Sequence, residues 1–199
     1  MSRIEARWTT PLGSLAVFEP STQALAHAAE GLARFYNEPH NAALLSNTLL
    51  FSSDDVIDFW RDAAADGSRA FLFARDGEVV GDGDFRNAVQ GAAELAVLIG
   101  PRALQGLGLG ARFVLMMLRV GFERLALERV FVAIRPANAA SLRLFERAGF
   151  VRDETPAARS YAEEDDDICM MLARATFFAH HAEVVQAMDV TENSLPRYS

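Results

Sequence analysis

Glu94-Leu95-Ala96-Val97-Leu98-Ile99, then Gln105-Gly106-Leu107-Gly108-Leu109-Gly110, then Arg129-Val130-Phe131-Val132-Ala133-Ile134 and Asn138-Ala139-Ala140-Ser141 decide how this chain folds. The first run is apolar and rich in β-formers, so it reads as a strand. The glycine-rich turn opens a long apolar helix. The third run is a further strand stopped by Pro136, and Asn138 caps a helix that ends at Gly149. A glycine turn at a helix N-terminus presents free main-chain N–H groups, and the helix dipole there favours negative charge. The segment therefore predicts a site for a pyrophosphate, and with it a nucleotide-like cofactor.

Working outward, residues 14–18 read as a first strand and 22–36 carry helical spacing, broken at Asn37-Glu38-Pro39. Ser53-Asp54-Asp55 places an N-cap before first-turn acids, starting a helix that runs to about Ala65. Residues 69–75 and 78–86 alternate around Asp76-Gly77, a hairpin signal. Residues 93–99 and 129–135 are the next strands, 150–155 and 167–173 the last two. A C-terminal helix is expected over 174–190. Hairpins followed by strand–helix–strand–helix predict an α+β domain around one mixed sheet.

Composition narrows the function. The 199 residues are 51% hydrophobic and 23% charged, enough for one domain with a full core. A net charge of −8 argues against non-specific binding to nucleic acid or to anionic membranes, and favours cationic substrates. Arg112, Arg119 and Glu123 interrupt the longest apolar run, so no membrane span is expected. A single cysteine, Cys169, excludes an intrachain disulfide and fits a cytoplasmic protein. The first residues, Met1-Ser2-Arg3-Ile4-Glu5, lack an apolar signal core. All 19 basic residues are arginine. A phosphate loop built on lysine is thereby excluded.

Gly106-Leu107-Gly108-Leu109-Gly110-Ala111 also fits the dinucleotide pattern. That turn should start directly at the strand end, but Gly100 to Gln105 intervene. The acid that should close the next strand is replaced by Arg135-Pro136. The spacing Gln105-x-x-Gly108-x-Gly110 instead resembles the acyl-CoA pyrophosphate loop of the GNAT superfamily of N-acetyltransferases. Asn138 to Phe150 resembles its second motif. Ile99-Gly100-Pro101 and Glu94-Leu95 are similar to the ribosomal-protein and spermidine acetyltransferase branch. The resemblance covers roughly residues 12–173.

The resemblance implies a GNAT fold, a mostly antiparallel mixed sheet splayed between its fourth and fifth strands and flanked by helices. It assigns residues 1–175 to the acetyltransferase domain and 176–199 to a helical extension or tail. Acetyl-CoA is the implied acyl donor, with pantetheine bonded to exposed backbone near Leu98 and Gly100 beside a bulge. The amides of Gln105, Gly106, Leu107, Gly108 and Gly110, with Ala111, are the implied pyrophosphate holders, and Asn138 a pantetheine contact. The implied reaction is direct attack by a primary amine in a ternary complex. The acceptor is a protein N-terminus, a polyamine or another small amine, and a homodimer is compatible with the superfamily. Glu94 is the candidate base, with a water chain as its alternative. Phe145 stands where many relatives carry a tyrosine acid, so Ser141 is the candidate hydrogen-bond donor to the departing thiol. Phe145 also supports an alternative, an acyl-CoA-binding sensor or interaction protein with weakened catalysis.

Glu163 to Asp167 is a run of five acids, read as a solvated loop that in the superfamily borders the acceptor site. Tyr161 lies beside it. Phe35, Tyr36, Phe59 and Trp60 sit on early helices that wall the acceptor pocket in relatives. None of the four histidines is in ligand spacing, so no metal is expected.

Overall fold

The computed structural model of the chain describes residues 2–45 and 48–194. β1 (Ser2–Thr10) turns back into β2 (Gly13–Phe18), the strand expected first from sequence. α1 (Thr22–Asn37) follows, capped by Ser21, and Pro39 opens a short α2 (Pro39–Leu44). α3 (Ser53–Ala65) is capped one residue earlier than its sequence suggests. Ser52 and Asp55 hydrogen-bond each other's backbone reciprocally. Such a capping box is worth about 1 kcal/mol.

β3 (Arg69–Arg75) and β4 (Glu78–Val89) pair across Asp76 and Gly77, at φ 52° and 88°. Gln90 and Gly91, at φ 47° and 73°, repeat the device between β4 and β5 (Ala92–Ile99). Two successive left-handed residues match the twist of the strands they join. A short 3-10 turn at Arg102–Leu104 leads to α4 (Leu109–Glu123). β6 (Arg129–Ile134), α5 (Ala139–Ala148), β7 (Val151–Arg152) and β8 (Ile168–Ala173) follow in the expected order, with a short α6 (Pro156–Arg159) between the last two strands, where the sequence predicts no helix.

A single helix over 174–190 does not form. α7 (Arg174–His180) stops at His181, α8 (Ala182–Gln186) is short, and β9 (Asp189–Ser194) pairs with β1. The Arg119 guanidinium closes the end of α8. It donates to the carbonyls of Val185 and Met188, which a continuing helix would use itself.

The strands form one mixed sheet in the order β7-β8-β6-β5-β4-β3-β2-β1-β9. Every pairing is antiparallel except β5 with β6. Those two strands are joined only at Ala92–Arg129, Ala93–Val130 and Glu94–Phe131. Beyond Glu94 they part. They are the strands expected fourth and fifth; β1, missed in the sequence, moves the count by one.

One face of the sheet packs on α4, where Phe73 of β3 stacks on Phe113 at 4.4 Å. The other packs on α1 and α3, with Leu32, Tyr36, Val56 and Trp60 closing over Leu72. Beside the fork, α6 and Tyr161 cover Phe131. Gly100, at the end of β5, lets α1 come close, because a Cβ there would stand 2.0 Å from Phe35 Cγ. Gly100→Ala is expected to cost about 1–3 kcal/mol by overpacking. Urea unfolding checks this, and unchanged stability would mean that the Phe35 contact is loose.

Candidate functional site

The parting of β5 from β6 exposes main-chain groups, and the register identifies them. Gly100 N–H donates to Val80 O at 3.0 Å, and Asp82 lies opposite Leu98. Antiparallel pairs exchange bonds at alternate residues, so Leu98 turns its N–H and C=O to Asp82 on β4. Val97 and Ile99 turn theirs to the gap. Leu98, expected to offer its backbone there, does not.

Gly100 does not either. Its carbonyl accepts from Asn41 Nδ2 at 2.8 Å while its N–H is held by Val80. Nor does β5 carry the expected bulge. It pairs regularly with β4 from Glu94 to Ile99, and the irregularity lies between Arg86 and Val89 on β4.

The glycine turn closes the open end of the gap. Gln105 N–H is spent on Arg102 O at 3.2 Å, so Gln105 contributes its side chain rather than its amide. Gln105 Nε2 donates to Ile99 O and to Asn41 Oδ1, each at 2.8 Å. Asn41 is fully buried and also donates to Phe35 O at 3.0 Å. This one amide therefore ties α1, the end of β5 and the turn together.

Gly106 and Gly108 take φ 76° and 86°, and Gly108 caps α4. The first helical bond runs from Arg112 N–H to Gly108 O, so the amides of Leu109, Gly110 and Ala111 have no acceptor within the helix. Gly106 and Leu107 are exposed beside them. Arg112 folds back with Nη1 on Gly108 O at 3.1 Å, and its buried Nε has no partner among the described residues. It brings positive charge to a ring of free amides. The donor set fits a pyrophosphate.

Between the parted strands lies a cavity of about 200 Å³ that brings the predicted catalytic residues together. Glu94, Asn138, Ser141 and Phe145 all line it, with Glu163 and Asp167 from the acidic loop. Asn138 Oδ1 accepts from Ser141 N–H at 3.1 Å, capping α5. Phe145 is buried edge-to-face against Phe150, 5.1 Å between rings. Burial raises the Glu94 carboxyl above its ordinary range, Asp84 and Glu163 add to this, and Arg86 and Asn87 oppose it. Asn87 Nδ2 donates to Glu94 Oε2 at 3.1 Å. Tyr161 stacks on Phe131 at 4.9 Å, and its buried hydroxyl has no partner among the described residues.

A second cavity, of about 370 Å³, adjoins the first and shares Leu45, Arg86, Ala96 and Val97 with it. Asp82, Asp84 and Arg86 of β4 line its floor. Arg86 binds both Asp84 oxygens, at 2.7 and 3.0 Å. Tyr36 O–H donates to Asp82 Oδ2 at 2.7 Å, while Asp82 Oδ1 is shielded and has no partner among the described residues. Burial pushes the Asp82 carboxyl up to about 7, Asp84 adding to this and the Tyr36 bond and Arg86 holding it back.

Sequence reasoning passed over this stripe. Its signal was Gly81-Asp82-Gly83-Asp84, acids alternating with glycines inside an apolar strand. The glycines are there because a Cβ at Gly81 would stand 2.1 Å from Leu98 O, and one at Gly83 2.6 Å from Ala96 O.

Sequence and structure comparisons agree with this geometry. A family model described as acetyltransferase (GNAT) domain matches residues 18–151. No curated protein matches the chain. Among solved structures, Mycobacterium smegmatis RimJ in complex with CoA-disulfide superposes with a TM-score of 0.70 at 17% identity, covering 94% of this chain and 96% of its own. The aminoglycoside acetyltransferase AAC(6′)-Ib in complex with coenzyme A gives 0.67 at 17% identity, covering 90% and 99%. Salmonella typhimurium yncA with acetyl-CoA gives 0.60 at 20% identity, covering 80% and 93%.

Proposed function

The chain belongs to the GNAT acetyltransferase family, and from that premise we propose that it transfers an acetyl group from acetyl-CoA to a primary amine. The observation that carries this is the gap between β5 and β6, floored by Glu94 and closed at its open end by free amides. Structural neighbours solved in complex with CoA or acetyl-CoA support the choice of donor.

When bound, acetyl-CoA supplies a thioester carbon open to attack by an uncharged amine. Leu109, Gly110 and Ala111 hold its pyrophosphate through their amides, helped by those of Gly106, Leu107 and Gly108 and by Arg112. Val97, with the N–H of Ile99, bonds the pantetheine arm as a partner strand would. Asn138 borders that arm. Glu94 accepts the proton that the amine must lose, directly or through water. Ser141 donates a hydrogen bond to the departing sulfur, since Phe145 has no hydroxyl to give.

Calorimetric titration with acetyl-CoA, followed by thiol release in the presence of amines, tests the reading. Binding without release from any amine favours the second reading that Phe145 supports, an acyl-CoA-binding protein with weakened catalysis. Absence of binding overturns both.

Glu94→Gln is expected to lower kcat by about 100-fold, with acetyl-CoA affinity unchanged. In the parent, kcat falls as pH drops through the Glu94 pKa, which lies above the ordinary carboxylate range. The variant should lose that acidic limb. An unaltered pH profile would remove Glu94 as the base.

A further inference from the structure

The family model begins at residue 18, so the hairpin of β1 and β2 lies almost wholly outside it. That hairpin nonetheless reaches the glycine turn. Ile4, Ala6 and Trp8 share one face of β1, and all three pack into the core that holds α4. At the hairpin tip, Thr10 Oγ1 accepts from Leu12 N–H and donates to Gly13 O, each at 3.1 Å. Ser14 N–H donates to Asp76 Oδ1 at 2.9 Å. These bonds fix the tip, which sets Leu12 Cδ1 3.9 Å from where a Gly108 Cβ would stand.

Trp8 meets Arg112 there. Arg112 Cζ lies 6.0 Å from the centroid of the Trp8 ring. Nη1 is held by Gly108 O at 3.1 Å, and Nε is shielded without a partner among the described residues. Nη2 has no acceptor among the described residues either, and it is not shielded. The guanidinium therefore keeps accessible N–H groups to spare, which a phosphate oxygen would take up. Arg112 also stands in the first turn of α4, where the helix dipole disfavours a cation. The negative face of an indole offsets that cost and limits the rotamers of a long side chain.

We propose that Trp8 is a positioning residue of the cofactor site, its ring holding the Arg112 guanidinium against the glycine turn with Nη2 free for the pyrophosphate. This rests on the acetyl-CoA reading above. It makes the N-terminal hairpin part of the site. Arginine freedom lost on folding is not lost again on binding, so the cofactor meets a charge already in place.

The test is a double-mutant cycle on the full chain, with acetyl-CoA affinity read by calorimetry and folding by thermal melt. Trp8→Phe keeps a π face and is expected to bind within about 2-fold of the parent. Trp8→Leu keeps apolar bulk without the π face and should bind at least about 5-fold more weakly. In an Arg112→Gln background, Trp8→Leu should cost nothing further, because Trp8 acts through that guanidinium. Should Trp8→Leu not melt cooperatively, Trp8→Met carries the same comparison.

Equal losses in Trp8→Phe and Trp8→Leu, parental affinity in Trp8→Leu, or the same loss in both backgrounds would overturn the proposal while leaving acetyl-CoA binding intact. Failure of the parent to bind acetyl-CoA overturns the underlying reading, and the proposal with it.

Discussion

Asp82→Asn is expected to make the protein more stable, not less, at alkaline pH. Burial, reinforced by Asp84, lifts the Asp82 carboxyl from an ordinary 3.8 to about 7 against the pull of Tyr36 and Arg86. Between those values the folded chain holds a proton that the unfolded chain has released. Stability therefore falls as pH rises from about 4 to about 7. Below the lower value both states are protonated and there is no penalty; above the upper value both are ionised and the penalty is complete. A rise of that size corresponds to roughly 4 kcal/mol. Water reaching the cavity trims it to about 2–4 kcal/mol.

Asparagine keeps an acceptor for Tyr36 O–H and carries no charge, so it should recover most of that difference at pH 8 and little near pH 4. Denaturant unfolding at the two pH values checks it. An equal gain at both, or none, would mean that the Asp82 charge is already well solvated.

Gly108→Val is expected to remove acetyl-CoA binding, with a loss of at least about 100-fold in affinity. Gly108 sits at φ 86°, where a β-branched residue is strained, and an added Cβ would stand 3.0 Å from Arg112 Nη1. Both the turn and the guanidinium that lies over it would have to move, just where the free amides of α4 converge. The strain costs about 1–2 kcal/mol of fold stability, so a thermal melt should still show a cooperative transition. Calorimetry on the folded variant reads the affinity, and parental affinity would sink the assignment of this turn to the pyrophosphate.

The site was legible in the sequence where chemistry and chain order coincide. The glycine turn, the Asn138 cap and the Glu94 strand are local patterns, and the fold places them as their spacing implies. Glu94 and Ser141 do share one cleft. Main-chain direction was not legible. Whether Leu98 or Val97 faces the gap depends on the pairing of β5 with β4, a long-range register that no local pattern carries. The same holds for Gln105, whose amide is consumed by a 3-10 turn and whose side chain reaches Asn41.

Asp82 was missed because a strand with alternating acids reads as half-solvated, and only the cover supplied by α1 and α3 shows that face to be enclosed. β9 was missed because the residues before it are helical by spacing. The carbonyls at the end of α8 are taken by Arg119, far away in the chain.

The pairing of β1 with β9 has a consequence during synthesis. It joins Arg7 to Asp189 and Ser2 to Ser194, so the outer edge of β1 stays unpaired until β9 has been synthesised. An open edge is a template for other strands. The alternation of Arg3, Glu5 and Arg7 along it puts charge where a foreign strand would dock. The outer edge of β1 is thus guarded by charge until β9 arrives to seal it.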